Sequence, residues 1–297
     1  MSGATADVSI PSLQRAPLER RALVSNFLTG LAWLVALLAA VPLFSVLYML
    51  IVRGGSRLNL EALTALPPAG FEMGGGFGNA LVGTVVMVGI GAAIAVPVGI
   101  LAAVFLAELG SNSTLGNVAR FATKTLTGLP SILAGVLAYA LVVLVTGSYS
   151  APAGGVALSL LMVPTVILTA EEAIKMVPKI MKDAAYGMGC TRTQVILKVL
   201  LPTALPGIIT GVMLAVARAA GETAPLLFTA LSSSYWLYQD GHLALMQPTA
   251  SLAVLIYNFS GMPFDNQIEL AWAASLVLVL IVLVINVVSR FLGRPKI

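Results

Sequence analysis

The chain has 297 residues, of which 59% are hydrophobic and only 9% charged, and its mean hydropathy is +0.99. Soluble chains carry roughly a quarter charged residues, so the composition excludes a disordered segment, a nucleic-acid module and an ordinary water-soluble enzyme, and leaves a polytopic membrane protein. The net charge of +4 is first a question of sidedness, and the single cysteine, Cys190, excludes an internal disulfide framework and a thiolate zinc cage.

A helix rises 1.5 Å per residue, so about 20 uncharged residues are needed to cross a hydrocarbon core of roughly 30 Å. Residues 1–26 read as a polar tail with Pro11 and Pro17, and no small-residue cleavage site marks them as a removable signal. The first span is predicted over residues 27–52, ahead of a permease body over residues 75–292 and a short tail over 293–297. In the uncharged stretch Met73 to Ala107 the leading GGGFGN, Gly74 to Asn79, reads as loop, and the second span starts near Ala80. From Lys124 to Glu171 no charge occurs. The turn-rich run Gly147 to Gly155 divides that stretch into a third and a fourth span joined by a hairpin. A fifth span is predicted from Pro202 or Pro206 to Leu231 and a sixth from Leu270 to Ser289, with Leu243 to Phe259 assigned to a loop between them. The expected fold is therefore an all-α integral membrane domain of six transmembrane helices.

Basic residues stay on the cytoplasmic side and so fix the orientation. Arg15, Arg20, Arg21, Arg120, Lys124, Lys175, Lys179, Lys182, Arg192, Lys198, Arg290, Arg294 and Lys296 fall on one side, and Arg53 and Arg57 on the other. Both termini are predicted cytoplasmic.

The remaining basic residue, Arg218, lies with Glu222 inside the fifth apolar span. Each such charge costs about 2.5–3.5 kcal/mol near the bilayer centre on insertion scales, so a partner or a wet path is expected. The spacing i, i+4 places the two on one helical face, together with Gly207, Gly211 and Ala215. Small residues at that spacing allow close helix approach, so this face is expected to meet protein or water rather than lipid. The bland reading is an internal ion pair that pins the helix. The sharper reading makes Arg218 a cation on an anion path, its fork suited to two oxyanion oxygens, with Glu222 as resting counter-ion. Pro225 cannot donate to the carbonyl of Gly221, which marks Gly221 and Pro225 as a hinge beside the charges.

The predicted inner loop from Glu171 to Leu201 holds a Glu171–Lys175 pair at i, i+4, and Pro178 separates two expected short cytoplasmic helices. In the second, Asp183, Ala184 and Ala185 precede Gly189, which supplies a sharp turn, and nine residues later comes VLLP ending at Pro202. Taken alone this is an amphipathic surface helix.

The spacing of DAAYGMG and VLLP resembles the coupling-loop signature of binding-protein-dependent type I ABC-importer permeases, the EAA-motif class, with Asp183 for glutamate and Val199 for isoleucine. TGVMLAVARAAGETAPLLFTAL, TLTGLPSILAG, LLMVPTVILTAEEA and MQPTASLAVLIYNF resemble segments of its phosphate-specific PstA branch, and the resemblance covers most of the chain beyond about residue 75. It departs at Leu168, where an arginine is expected. What the resemblance implies is a MetI-like permease domain in a bacterial or archaeal cell (inner) membrane. The coupling helix would lie between spans four and five and enter a cleft in a cytoplasmic ATPase. It also implies a PstC-like second permease, a PstB-like ATPase dimer and a PstS-like phosphate-binding protein, with Arg218 and Glu222 matching the family's intramembrane charges. ATP and magnesium would sit on the partner ATPase, because this chain has no G-x-x-x-x-G-K-[ST] loop.

Three further readings belong to other classes. An intramembrane enzyme would need a nucleophile with a buried base, and the one histidine, His242, lies in a predicted loop. An assembly subunit would use Arg218 for packing alone. A secondary transporter would show internal repeats, which the sequence lacks. Within the permeases, the neighbouring reading is an importer of another oxyanion such as sulfate or molybdate.

Overall fold

The computed structural model describes residues 20–239 and 241–292. The predicted tail 293–297, most of the predicted tail 1–26, and with them Arg15, Arg294 and Lys296, lie outside the described residues. The chain forms two compact units that meet between Met49 and Leu50. Helix α1, Arg21–Arg57, begins in the first unit and ends in the second. In the first unit it is apolar and exposed all round, the pattern of a helix whose solvent is lipid or another chain.

In the second unit the chain continues through α2 (Leu60–Thr64), α3 (Gly78–Leu109), α4 (Thr114–Thr127), α5 (Ser131–Thr146) and α6 (Ala151–Lys175). It then forms α7 (Lys179–Gly187), α8 (Arg192–Ala220), α9 (Ala224–Thr229), a two-stranded ribbon of β1 (Tyr238–Gln239) and β2 (His242–Leu243), α10 (Leu252–Ser260) and α11 (Asp265–Phe291). Helices α1, α3, α6, α8 and α11 are long and apolar enough to cross a membrane. The predicted third span is instead a bent pair: α4 and α5 meet at 106° across Gly128, Leu129 and Pro130, and count as a sixth crossing only when taken together. Proline at the bend explains it, since the residue before proline is pushed out of the helical region.

Several predicted boundaries move. Residues 27–52 are the middle of a longer helix. The glycine-rich loop ends at Phe77, and Gly78 already opens α3. The hairpin between the third and fourth spans shrinks to the left-handed Gly147 and its successors, because Ser150 caps α6 and Ala151 to Gly155 are helical. The first of the two short helices expected after Glu171 does not exist as a separate element, since Glu171 and Lys175 form the last turns of α6.

The core is the pair α3 and α6. Gly91, Ala95, Gly99 and Ala103 recur every four residues on the buried face of α3. A β-carbon at Gly99 would stand 2.6 Å from a Val166 methyl, and one at Gly91 3.1 Å from the carbonyl oxygen of Gly155. Close backbone approach of this kind is how apolar helices gain dispersion energy when lipid is as apolar as they are. Helix α8 also packs on α6, and α11 joins α10 around buried Leu252, Leu255, Leu270 and Ala274. Helix α10 is only nine residues long, about half a crossing, which agrees with a loop assignment for Leu243 to Phe259.

The loops gather at two separate ends. At one, Asn79 donates to the carbonyls of Ser233 and Tyr235, Gln267 to that of Pro68, and Arg57 to the Asn266 side chain at 3.1 Å. Arg53 lies 5.5 Å above the ring of Trp272 at this end. At the other end, Arg120, Lys175, Lys182 and Arg192 converge on α3 and α6 through Glu108 and Glu171.

Candidate functional site

Helix α8 starts with a capping box, in which Thr191 accepts from the Gln194 backbone while the Gln194 side chain accepts from Thr191. It ends at Ala220, ahead of the predicted Leu231, with Gly221 as its C-cap. Arg218 sits in its last turn, where the carbonyl end of the helix favours a cation. Glu222 is therefore not on the same continuous helix. It lies in the break between α8 and α9, and its backbone N–H donates to the carbonyl of Ala219 at 3.2 Å. The two charges still meet, Arg218 Nε to Glu222 Oε1 at 3.5 Å, with side chains 54% and 17% exposed. This is a loose pair that leaves about half of the Arg218 side chain exposed.

Pro225 has a different place from the one expected. It occupies the first turn of α9, where the missing N–H costs nothing, and it is buried. Gly135 of α5 lies against it so closely that a β-carbon there would stand 2.6 Å from the Pro225 Cα. The break at Gly221, Glu222 and Thr223 is thus a joint between two helices, of which α9 is clamped to α5 while Gly221 itself has open surroundings.

The small-residue face of α8 meets protein. A β-carbon at Gly207 would stand 2.8 Å from that of Ala173, and one at Gly211 2.1 Å from Thr169 Oγ1. Ala215 is buried further along the same helix.

The EAA-like segment is α7. Its N-cap is Pro178, Asp183 and Ala184 are exposed, and Ala185 turns inward at 2% exposure among Val177, Val195, Ile196 and Leu200. Gly189 adopts φ +82°, a left-handed conformation that side chains resist, and it turns the chain back toward α8. Pro202 lies exposed within α8, ten residues after its start rather than at the start. Ile180, Met181, Tyr186 and Met188 leave an apolar outer surface on and beside α7.

The predicted Glu171–Lys175 pair is present, but residue-by-residue reading of the sequence missed the rest of the charged cluster behind α7. Glu171, 4% exposed, accepts from Arg120 Nε at 2.9 Å and from Lys175 Nζ at 2.5 Å. Glu108 in the last turn of α3 pairs with Lys182 of α7, and its backbone carbonyl accepts from Arg192. The available signal was Glu108 itself, an acidic residue closing a long uncharged run on a side otherwise rich in Lys and Arg.

Residues 95–294 match the family described as Binding-protein-dependent transport system inner membrane component. The Phosphate transport system permease protein PstA of Haemophilus influenzae is 37% identical over 272 residues, which cover 92% of this chain and 94% of that protein. The chain belongs to this family of transport permeases. Its PstA relatives include the protein of Yersinia pestis, 37% identical with 92% of this chain and 88% of that one covered. A probable phosphate permease of Methanocaldococcus jannaschii is 36% identical, with 86% and 88% covered. Among solved structures, the MetNI methionine ABC transporter in inward-facing conformations superposes with a TM-score of 0.55 at 22% identity, over 73% of this chain and 92% of that chain. That likeness concerns the fold alone. Membership makes the chain a multi-pass permease component of an inner-membrane ABC import system and removes the enzyme reading.

Proposed function

We propose that this chain is one permease subunit of an ATP-driven importer of inorganic phosphate. The observation that carries the reading is the identity of about a third or more with PstA proteins from bacteria and an archaeon over nearly the whole chain. In this reading the translocation path runs between this chain and a PstC-like permease. A PstS-like protein delivers phosphate at the Arg53 and Arg57 end, and a PstB-like ATPase dimer binding ATP and magnesium docks at the Lys124 and Lys182 end, the side to which the distribution of basic residues assigns both termini.

Arg218 is the residue on which the anion would rest. Its side chain is half exposed, and its pair with Glu222 is long enough for an oxyanion to displace the carboxylate. A fork that donates to two oxygens suits a tetrahedral oxyanion better than a point charge does. Gly221 allows the two flanking helices to change their angle while Gly207 and Gly211 hold the middle of α8 on α6. Asp183, Ala184 and Ala185 of α7 form the ATPase-facing helix, Gly189 supports its turn, and α8 carries the movement past Pro202 toward Arg218.

The test is ATP-dependent uptake of labelled phosphate by vesicles holding this chain with its second permease, ATPase and binding protein. Uptake that persists under excess sulfate and molybdate, and is lost in Arg218→Gln, is the expected result. A complex that assembles and hydrolyses ATP but takes up sulfate or molybdate instead would replace phosphate with that oxyanion.

A further inference from the structure

The last turn of α3 collects bonds from three other helices, and through one of them reaches a fourth. Lys182 of α7 pairs with the Glu108 carboxylate, and Arg192 at the head of α8 donates to the Glu108 carbonyl. Two residues earlier, the carbonyl of Leu106 accepts from Arg120 of α4 at 3.2 Å, and Arg120 in turn binds Glu171 of α6. The Glu108–Lys182 pair is at low exposure, 14% for Glu108 and 21% for Lys182, the setting in which ion pairs are least screened by salt. Helix α7 has few other holds on the body, since among its nine residues only Ala185 is buried. Its covalent route to α8 passes through Gly189, whose surroundings are open.

From this geometry we infer that α3 is a second entry point for movement of α7, with Glu108 as the positioning residue. The inference rests on the reading of α7 as the ATPase-facing helix. A push on α7 then reaches the membrane body by two routes: along the backbone into α8, and through Lys182 and Glu108 into α3. Because α3 and α6 are locked by close backbone contact, the second route moves that pair as one piece relative to the joint at Gly221. Severing it leaves the ATPase docked but moving only half of the permease.

The test is a charge-exchange cycle of Glu108→Lys, Lys182→Glu and the two together, in the complex of this chain with its second permease and ATPase. Two quantities are read: basal ATP hydrolysis, which needs no anion, and phosphate uptake per ATP consumed. Each single variant should raise basal hydrolysis at least threefold and cut uptake per ATP by a similar factor, and the double variant should return both to within twofold of the native complex. Effects that simply multiply in the double variant would overturn the pairing, as would single variants indistinguishable from native. Should a single variant fail to assemble, assembly becomes the readout, restored by the exchange if the pair is direct and not restored if it is not. Absence of phosphate uptake by the unsubstituted complex would count against the phosphate reading alone, because the hydrolysis cycle judges the latch without it.

Discussion

Arg218 makes a loose ion pair at a helix end, and that makes its chemistry testable separately from its charge. Arg218→Lys keeps the cation and removes the paired donors. Charge-assisted bonds contribute about 1.5–3 kcal/mol each, so phosphate uptake measured at limiting substrate should fall about tenfold or more. Unchanged uptake would reduce Arg218 to a pinning charge. Glu222→Gln should act differently, freeing the guanidinium without removing it, so that ATP hydrolysis and uptake change in ratio. Identical ratios in variant and native complexes would end its role as counter-ion. The sequence revealed these two residues because a charge in an apolar run is conspicuous whatever the backbone does. It hid the helix end between them, although Gly221 followed by Pro225 is the usual stop-and-start pattern of two helices. Helical periodicity runs through that signal because the apolar run resumes after Glu222 and continues to Leu231.

At the scale of elements, the long helices were legible and the short ones were not. Apolar length is a property of sequence alone, and α1, α3, α6, α8 and α11 follow from it. The bend between α4 and α5 depends on a Gly-Leu-Pro triplet inside an uncharged stretch, and hydropathy cannot register a change of direction. The charged cluster behind α7 joins residues up to 84 positions apart, and no local pattern encodes such pairing. The turn at Gly189 was legible, and it carries a prediction of its own. Gly189→Ala forces a side chain into the left-handed region at a cost of roughly 1–2 kcal/mol, with open space around it. The chain should still insert and assemble, while α7 becomes measurably more sensitive to limited proteolysis; unchanged protease sensitivity would mean that the turn relaxes freely. Gly211→Leu should do more damage, since Thr169 lies where its side chain would go. Loss of the folded complex in detergent is the expected result, and a fully assembled, active variant would show that α8 is not bound to α6 at that level.

For the molecule as a whole, the second unit sorts its polar contacts into two ends separated by helices packed through small residues. Single cysteines placed at Arg57 and at Lys124, in a Cys190→Ala background, should react with an impermeant thiol reagent from opposite faces of sealed vesicles. Labelling of both from one face would undo the topology. The bend between α4 and α5 has a further result for the surrounding bilayer. Helix α5 alone is about 24 Å long at 1.5 Å per residue, against a hydrocarbon thickness of roughly 30 Å. Helix α4, turned through 106° and carrying Arg120 and Lys124, cannot make up the difference by running straight on. Crossing by itself, α5 would be hydrophobically mismatched, and lipid facing it would have to thin or the subunit would have to settle unevenly. Acyl-chain length then becomes a control on the transporter, with shorter-chain lipids matching the short wall and longer-chain lipids straining it.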